Sequence, residues 1–209
     1  MQHSRLNFFF LNIGHLYDHL FVLIFATVAA LSLSQNWGLS YGELIPYATP
    51  GFIAFGVCAL PAGWLADKWS RQGMMVVFFL GIGVSSIVTS FAQTPLQIGA
   101  GLLIIGMFAA IYHPVGLALV VDGRERTGVP LAINGIFGNL GVAVAALLTG
   151  LLIDVMDWRA AFYVPGILSI GTALAYGIFI RSNSNREARS ENNKTANKPK
   201  SDSSQTEDR

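Results

Sequence analysis

The stretch "LNFFFLNIGHLYDHLFVLIFATVAAL", Leu6 to Leu31, decides how the rest of the chain is read. It is apolar for longer than the roughly 7–15 residues of a secretory signal core, so the sequence predicts a retained membrane span. Yet it holds His15, Asp18 and His19 in its middle, with Asn12 just before them. Polar side chains inside such a run need a reason, and the reason depends on the solvent around them.

The composition names that solvent. Of 209 residues, 53% are hydrophobic and only 12% are charged, with a formal net charge of +1. Soluble domains carry about 25% charged residues, and half that fraction together with apolar runs near 20 residues indicates an integral membrane protein. Cys58 is the one cysteine, which excludes an intrachain disulfide. Nothing in the charge balance supports nucleic-acid binding.

Six apolar segments can be marked, at roughly 7–33, 44–66, 74–93, 97–121, 129–153 and 160–180. Each approaches the ~20 residues that cross a hydrocarbon core as a helix. Open sheet edges cannot be satisfied in lipid, so the fold class is an all-α membrane protein of six transmembrane helices. The breaks are short: "SQNWGLSYGE", "DKWSRQG", "AQTP", "DGRERTG" and "DVMDWR". Arg5, Lys68, Arg71, Arg124, Arg126 and Arg181 fall at the N-terminus, in alternate breaks and after the last span. This bias places both termini in the cytoplasm, in a cell membrane that is the inner membrane if the source is bacterial. Residues 1–181 form the expected bundle. Residues 182–209, "SNSNREARSENNKTANKPKSDSSQTEDR", have no aromatic residue, Leu, Ile or Val and are expected to be a disordered cytoplasmic tail. The glycosylation sequon at Asn193–Thr195 is then a chance match.

Two of the breaks resemble one another. "GWLADKWSRQGMM" and "GLLIDVMDWRAAF" align at Gly63 and Gly150, pairing Leu65 with Leu152, Asp67 with Asp154, Trp69 with Trp158 and, after a one-residue slip, Arg71 with Arg159. Spans one to three and four to six thus read as related units of three. An odd count sends the second unit in from the opposite face. That gives a 3+3 inverted repeat, a pattern of secondary transporters.

"GWLADKWSRQG" resembles the loop 2–3 signature of the major facilitator superfamily, Gly-x-Leu-Ala-Asp-Arg-x-Gly-Arg-Arg/Lys, through Gly63, Leu65, Ala66, Asp67, Lys68 and Arg71. Ser70 and Gln72 depart from it. "DWRAAF" resembles the start of that superfamily's sixth helix. "GHLYDHLF", "AAIYHPVGLAL" and "IFGNLGVAVAALL" are similar to its fosmidomycin-resistance branch, although Asn139 stands where a proline is usual. The resemblance implies a proton-driven efflux antiporter of small molecules, with Gly63, Asp67, Lys68 and Arg71 in a gating loop. It covers residues 1–181, half of the family's twelve spans. Independently, Asp67 at a helix end can pair with Arg71 or dock on a helix N-terminus; Lys68 also reads as a simple topology charge. Gly135, Gly138 and Gly141 make a glycine face suited to close helix packing.

Residues at i, i+3 and i+4 share a helix face, so His15, Asp18 and His19 form one patch. Asp18 lies about 18 Å along the helix from its cytoplasmic end, near the bilayer centre. A carboxylate facing lipid there costs several kcal/mol, so the patch must face a cavity or another helix. His113 lies in the fourth span, about 13 Å from the end at Asp122, where Pro114 and Gly116 favour a kink. In a three-plus-three repeat the first and fourth spans are symmetry mates. The expectation is a proton and substrate site built from His15, Asp18, His19 and His113. Two other readings stay open. Each histidine can be a plain interhelical hydrogen-bond partner. "HLYDH", with His113, can be a metal site or the centre of a membrane metalloenzyme, although no HExxH or second acid cluster accompanies it. The expected function involves no resident cofactor or metal. Because six spans make one bundle, the chain is expected to act as a homodimer or with a separate C-terminal half. The alternative is an inactive truncated transporter, since the tail resembles the linker between halves.

Overall fold

The computed structural model describes residues 5–196, and among these every regular element is helical. Six helices are long and apolar enough to cross a membrane: α1 (Arg5–Trp37), α2 (Tyr41–Lys68), α3 (Arg71–Thr89), α4 (Pro95–Val121), α5 (Gly128–Val155) and α6, whose span Ala160–Arg186 belongs to a helix running Ala160–Ala196. The bundle is therefore all-α, as the apolar runs require. The last helix overruns the boundary expected at 181, continuing through Ala196. Its added turns contain Ala, Glu, Arg and Lys, which extend a helix already nucleated by an apolar span. The rest of the expected tail, 197–209, lies outside the described residues.

Local chemistry sets the ends. Gly38, at φ 64°, closes α1, and Gly123, at φ 63°, closes α4, in the left-handed conformation that glycine adopts without strain. A capping box opens α2: the Ser40 hydroxyl accepts from the Glu43 amide, and the Glu43 carboxylate accepts from the Ser40 amide at 2.8 Å. Ser70 caps α3 by accepting from the Gly73 amide at 3.0 Å, and Thr94 caps α4 just before Pro95. Asp157 caps α6, its Oδ1 accepting from the amides of Arg159 and Ala160.

Among the helix contacts, three seams depend on glycine where a neighbour approaches closely. Between α1 and α5, a Cβ on Gly138 would strike the His15 ring, and one on Gly141 would strike the Leu16 carbonyl. A Cβ on Gly135 meets nothing within 4 Å, so the close approach uses only the other two glycines of that face. Between α2 and α4, a Cβ on Gly106 would strike the Gly51 carbonyl. The third seam, α3 against α6, is reciprocal. A Cβ on Gly83 would lie 2.7 Å from the Gly166 carbonyl, and one on Gly166 would lie 2.8 Å from the Gly83 carbonyl. The Ser86 hydroxyl donates to Phe162 O and the Ser169 hydroxyl to Phe79 O, both at 2.7 Å. "FFLGIGVSSI" and "AFYVPGILSI" hold these residues at matching positions: Phe79 and Phe162, Gly83 and Gly166, Ser86 and Ser169.

Candidate functional site

Helix α4 is irregular where the sequence placed His113. A turn at residues 110–111 is followed by a π-helical turn, Tyr112–Gly116, before the α-helix resumes at Leu117. Pro114 lacks the amide that a regular ladder needs, and π-turns concentrate at functional positions. Gly116 and Gly14 make room for the Tyr112 ring, which a Cβ at either would strike. The turn aims Tyr112 and His113 at α1.

There they meet the polar patch, and the four residues singled out from sequence come together. The His15 and His19 rings lie 5.0 Å apart, with His113 at 5.4 Å from the first and 5.7 Å from the second. His113 Nε2 stands 3.2 Å from Asp18 Oδ2. That is within ion-pair range but off hydrogen-bond alignment, and neither oxygen of the wholly buried Asp18 receives a directed donor among the described residues. The cluster is graded in access: Asp18 and His15 are buried, His19 is half-buried, and the His113 side chain is 38% exposed. Phe55 of α2 packs its ring 5.7 Å from His113.

Hydrogen bonds fix one tautomer. His15 Nδ1 faces the carbonyl of Asn134 at 2.8 Å, and a carbonyl only accepts, so Nδ1 carries the proton. In the neutral ring Nε2 is then an acceptor, and the His19 Nε2 3.2 Å away donates to it. Tyr112 stacks on His15 at 4.9 Å and donates to Leu11 O at 2.8 Å. The Asn134 amide donates to Asn12 Oδ1 and to the Tyr112 hydroxyl, both at 2.9 Å. Asn134 and Tyr112 escaped the sequence reading. Asn134 was legible as a polar residue in an apolar span, but Asn139 drew attention instead, and the structure leaves Asn139 exposed.

The gating-loop residues lie elsewhere. Arg71 donates to Asp67 Oδ1 through Nε at 3.1 Å and Nη2 at 2.8 Å, in an exposed pair that bridges the end of α2 and the start of α3, and Lys68 is exposed. Gly63 touches the site region, since a Cβ on it would meet Pro114 at 3.3 Å. Arg159 is differently engaged from Arg71: it donates to the carbonyls of Ser90 and Ala92 at 2.7 and 2.9 Å and lies over the Trp158 ring.

A bundle of long apolar helices around an interior polar cluster points to a multi-pass membrane protein. Residues 11–205 match the Major Facilitator Superfamily, and the chain belongs to that family. It is 31% identical over 141 residues to a puromycin resistance protein of Streptomyces alboniger, covering 66% of this chain and 28% of that protein. It is 26% identical over 157 residues to a gallate transporter of Pseudomonas putida (74% and 35%). To a probable L-galactonate transporter of Escherichia coli it is 29% identical over 167 residues (75% and 35%). The matched part of the chain thus spans about a third of the length of these curated relatives.

Proposed function

We propose that the chain is half of a proton-coupled secondary transporter, an antiporter exporting a small molecule, with His15, Asp18, His19 and His113 as its proton and substrate site. One observation carries this. In a member of a transporter superfamily, the Asp18 carboxylate is wholly buried and unmatched by a directed donor, beside a histidine from another helix. Ionisable groups inside membrane spans are costly and mark ion and substrate pathways. The resistance protein among the relatives favours export of a drug-like molecule, while the gallate and galactonate transporters favour small organic acids. The resemblance of "GHLYDHLF" and "AAIYHPVGLAL" to the fosmidomycin-resistance branch supports the export reading.

In this reading α1–α3 and α4–α6 form an inverted repeat, supported by the mutual contacts of α3 and α6. Lysine and arginine placement puts both ends in the cytoplasm, with the membrane-embedded bundle ending near Arg181. The loop of Gly63, Asp67, Lys68 and Arg71 gates the cavity. Gly138 and Gly141 serve helix packing. A second six-helix bundle, a second copy or a separate C-terminal half, completes the cavity, and native mass spectrometry from nanodiscs distinguishes the two.

The test is proton flux into proteoliposomes holding the full chain and a lumenal pH dye, with puromycin and gallate as probes. Probe-dependent flux that vanishes in Asp18→Asn is the expected result. Probe transport that proceeds equally well in Asp18→Asn removes Asp18 from the coupling role.

A further inference from the structure

Three imidazoles converging on one point from two helices do more than a proton site requires. We infer that His15, His19 and His113 bind one borderline divalent transition ion, of the Zn2+ class, with the Asp18 carboxylate balancing its charge. The inference needs no transport activity, because metal binding is read on the resting protein.

Four observations carry it. One nitrogen from each of the three rings lies within 4.8 Å of the others. His15 Nε2 and His19 Nε2 are already 3.2 Å apart, close to the edge of about 3.3 Å that a tetrahedron with metal–nitrogen bonds of ~2.0–2.1 Å requires. Closing the rest falls to the His113 ring, whose side chain is 38% exposed. His15 also has the outer bond that metal-ligating histidines use. Its Nδ1–H is committed to the Asn134 carbonyl, which leaves the Nε2 lone pair aimed at the cluster. The Asn134 side chain is itself held by Asn12 and Tyr112, and Tyr112 stacks on the ring, so the first ligand is rigid. His19, now donating to His15, becomes a ligand by carrying its proton on Nδ1 instead.

Finally, a wholly buried acid with no directed donor on either oxygen sits against His113. A divalent ion held by the three rings supplies positive charge beside this acid, whose Oδ2 faces His113 Nε2 at 3.2 Å. Imidazole donors without a thiolate suit Zn2+, Co2+, Ni2+ and Cu2+, and disfavour Mg2+ and Ca2+, which take oxygen ligands. Half-buried His19 and His113 leave a route for the ion and an open coordination position.

The experiment uses the full chain in nanodiscs, purified without a polyhistidine tag, stripped with chelator and titrated with Co2+ followed by Zn2+. One Co2+ per chain is expected, with the visible absorption of a four-coordinate, nitrogen-rich site that Zn2+ then bleaches and Mg2+ does not. His113→Gln and His19→Gln should each weaken binding at least a hundredfold. Asp18→Asn should weaken it about 10–100-fold, the range for partners behind the ligands. Cys58→Ser should leave the spectrum unchanged, showing that the thiol takes no part. Circular dichroism confirms that each variant remains helical. Absence of the band at saturating Co2+, or equal binding by wild type and by helical His113→Gln, overturns the site. Either result leaves the proton-flux assay free to succeed or fail on its own.

Discussion

Two contacts inside this bundle use the same small-residue approach and end in opposite states. Where α3 meets α6, every polar group named at the seam is matched. Gly83 lies on Gly166, Ser86 and Ser169 each donate to a carbonyl of the partner helix, and the two sets of contacts mirror each other. Where α1 meets α4 and α5, Gly138 and Gly141 again admit the neighbour, but what is admitted is a stack of titratable rings around an acid with no directed donor. Hydroxyls returned to carbonyls cost nothing to bury and do nothing further. An unmatched carboxylate is expensive, so it persists in a membrane interior only where a proton, ion or ligand completes it. The paired seam is satisfied within itself, and the unpaired one is where we propose the chemistry.

The largest effect expected from breaking this contrast is at Asp18. Asp18→Asn keeps the shape of the side chain and should preserve the helical content and the thermal transition, while coupled transport falls to background. Loss of folding along with flux would instead place Asp18 in the scaffold, on the same footing as Ser86. Next comes the paired seam. Gly83→Ala and Gly166→Ala each push a methyl group into a backbone carbonyl, an overpacking cost of about 1–3 kcal/mol. The mirrored geometry requires that the two losses be equal within error, read as unfolding midpoints in mixed micelles. Strongly unequal losses would mean that the symmetry of the contacts is not a symmetry of energy. Smaller still, Ser86→Ala and Ser169→Ala each remove one interhelical hydrogen bond, worth about 0.6 kcal/mol in membrane bundles, again as a matched pair.

Much of this is legible in the amino-acid sequence. Apolar runs located all six spans, because lipid permits little else at that length. Cost alone singled out His15, Asp18 and His19, and His113 followed as the other histidine within a span. What escaped was of two kinds. Asn134 and Tyr112 act through tertiary bonds to Asn12, Leu11 and His15, and a tyrosine or asparagine in a span carries no periodic signal of its partner. The matching contacts of α3 and α6 lay hidden because Phe, Gly, Ser and Ile are ordinary span residues. Only the mutual Gly83 and Gly166 contacts make "FFLGIGVSSI" and "AFYVPGILSI" comparable. Of the glycine face, Gly138 and Gly141 lie where an added Cβ would strike α1, whereas one on Gly135 would meet nothing within 4 Å.

The smallest effect expected on stability is at the exposed pair, and it sharpens the contrast from outside. Asp67 and Arg71 are joined by two good hydrogen bonds, but both side chains are largely open to solvent, 64% and 44% exposed. Water and salt screen such a pair, and exposed pairs contribute about 0.2–1 kcal/mol. Asp67→Asn should therefore move the unfolding midpoint hardly at all, and by less in high salt. Its expected consequence is for transport: Gly63, one turn earlier, packs on Pro114 beside His113, so the proposed gating loop touches the helix that carries His113. A fall in transport rate with an unchanged midpoint would make Asp67 a gate residue. A drop in the midpoint beyond about 1 kcal/mol, outside the range for exposed pairs, would make the pair a structural clamp between α2 and α3.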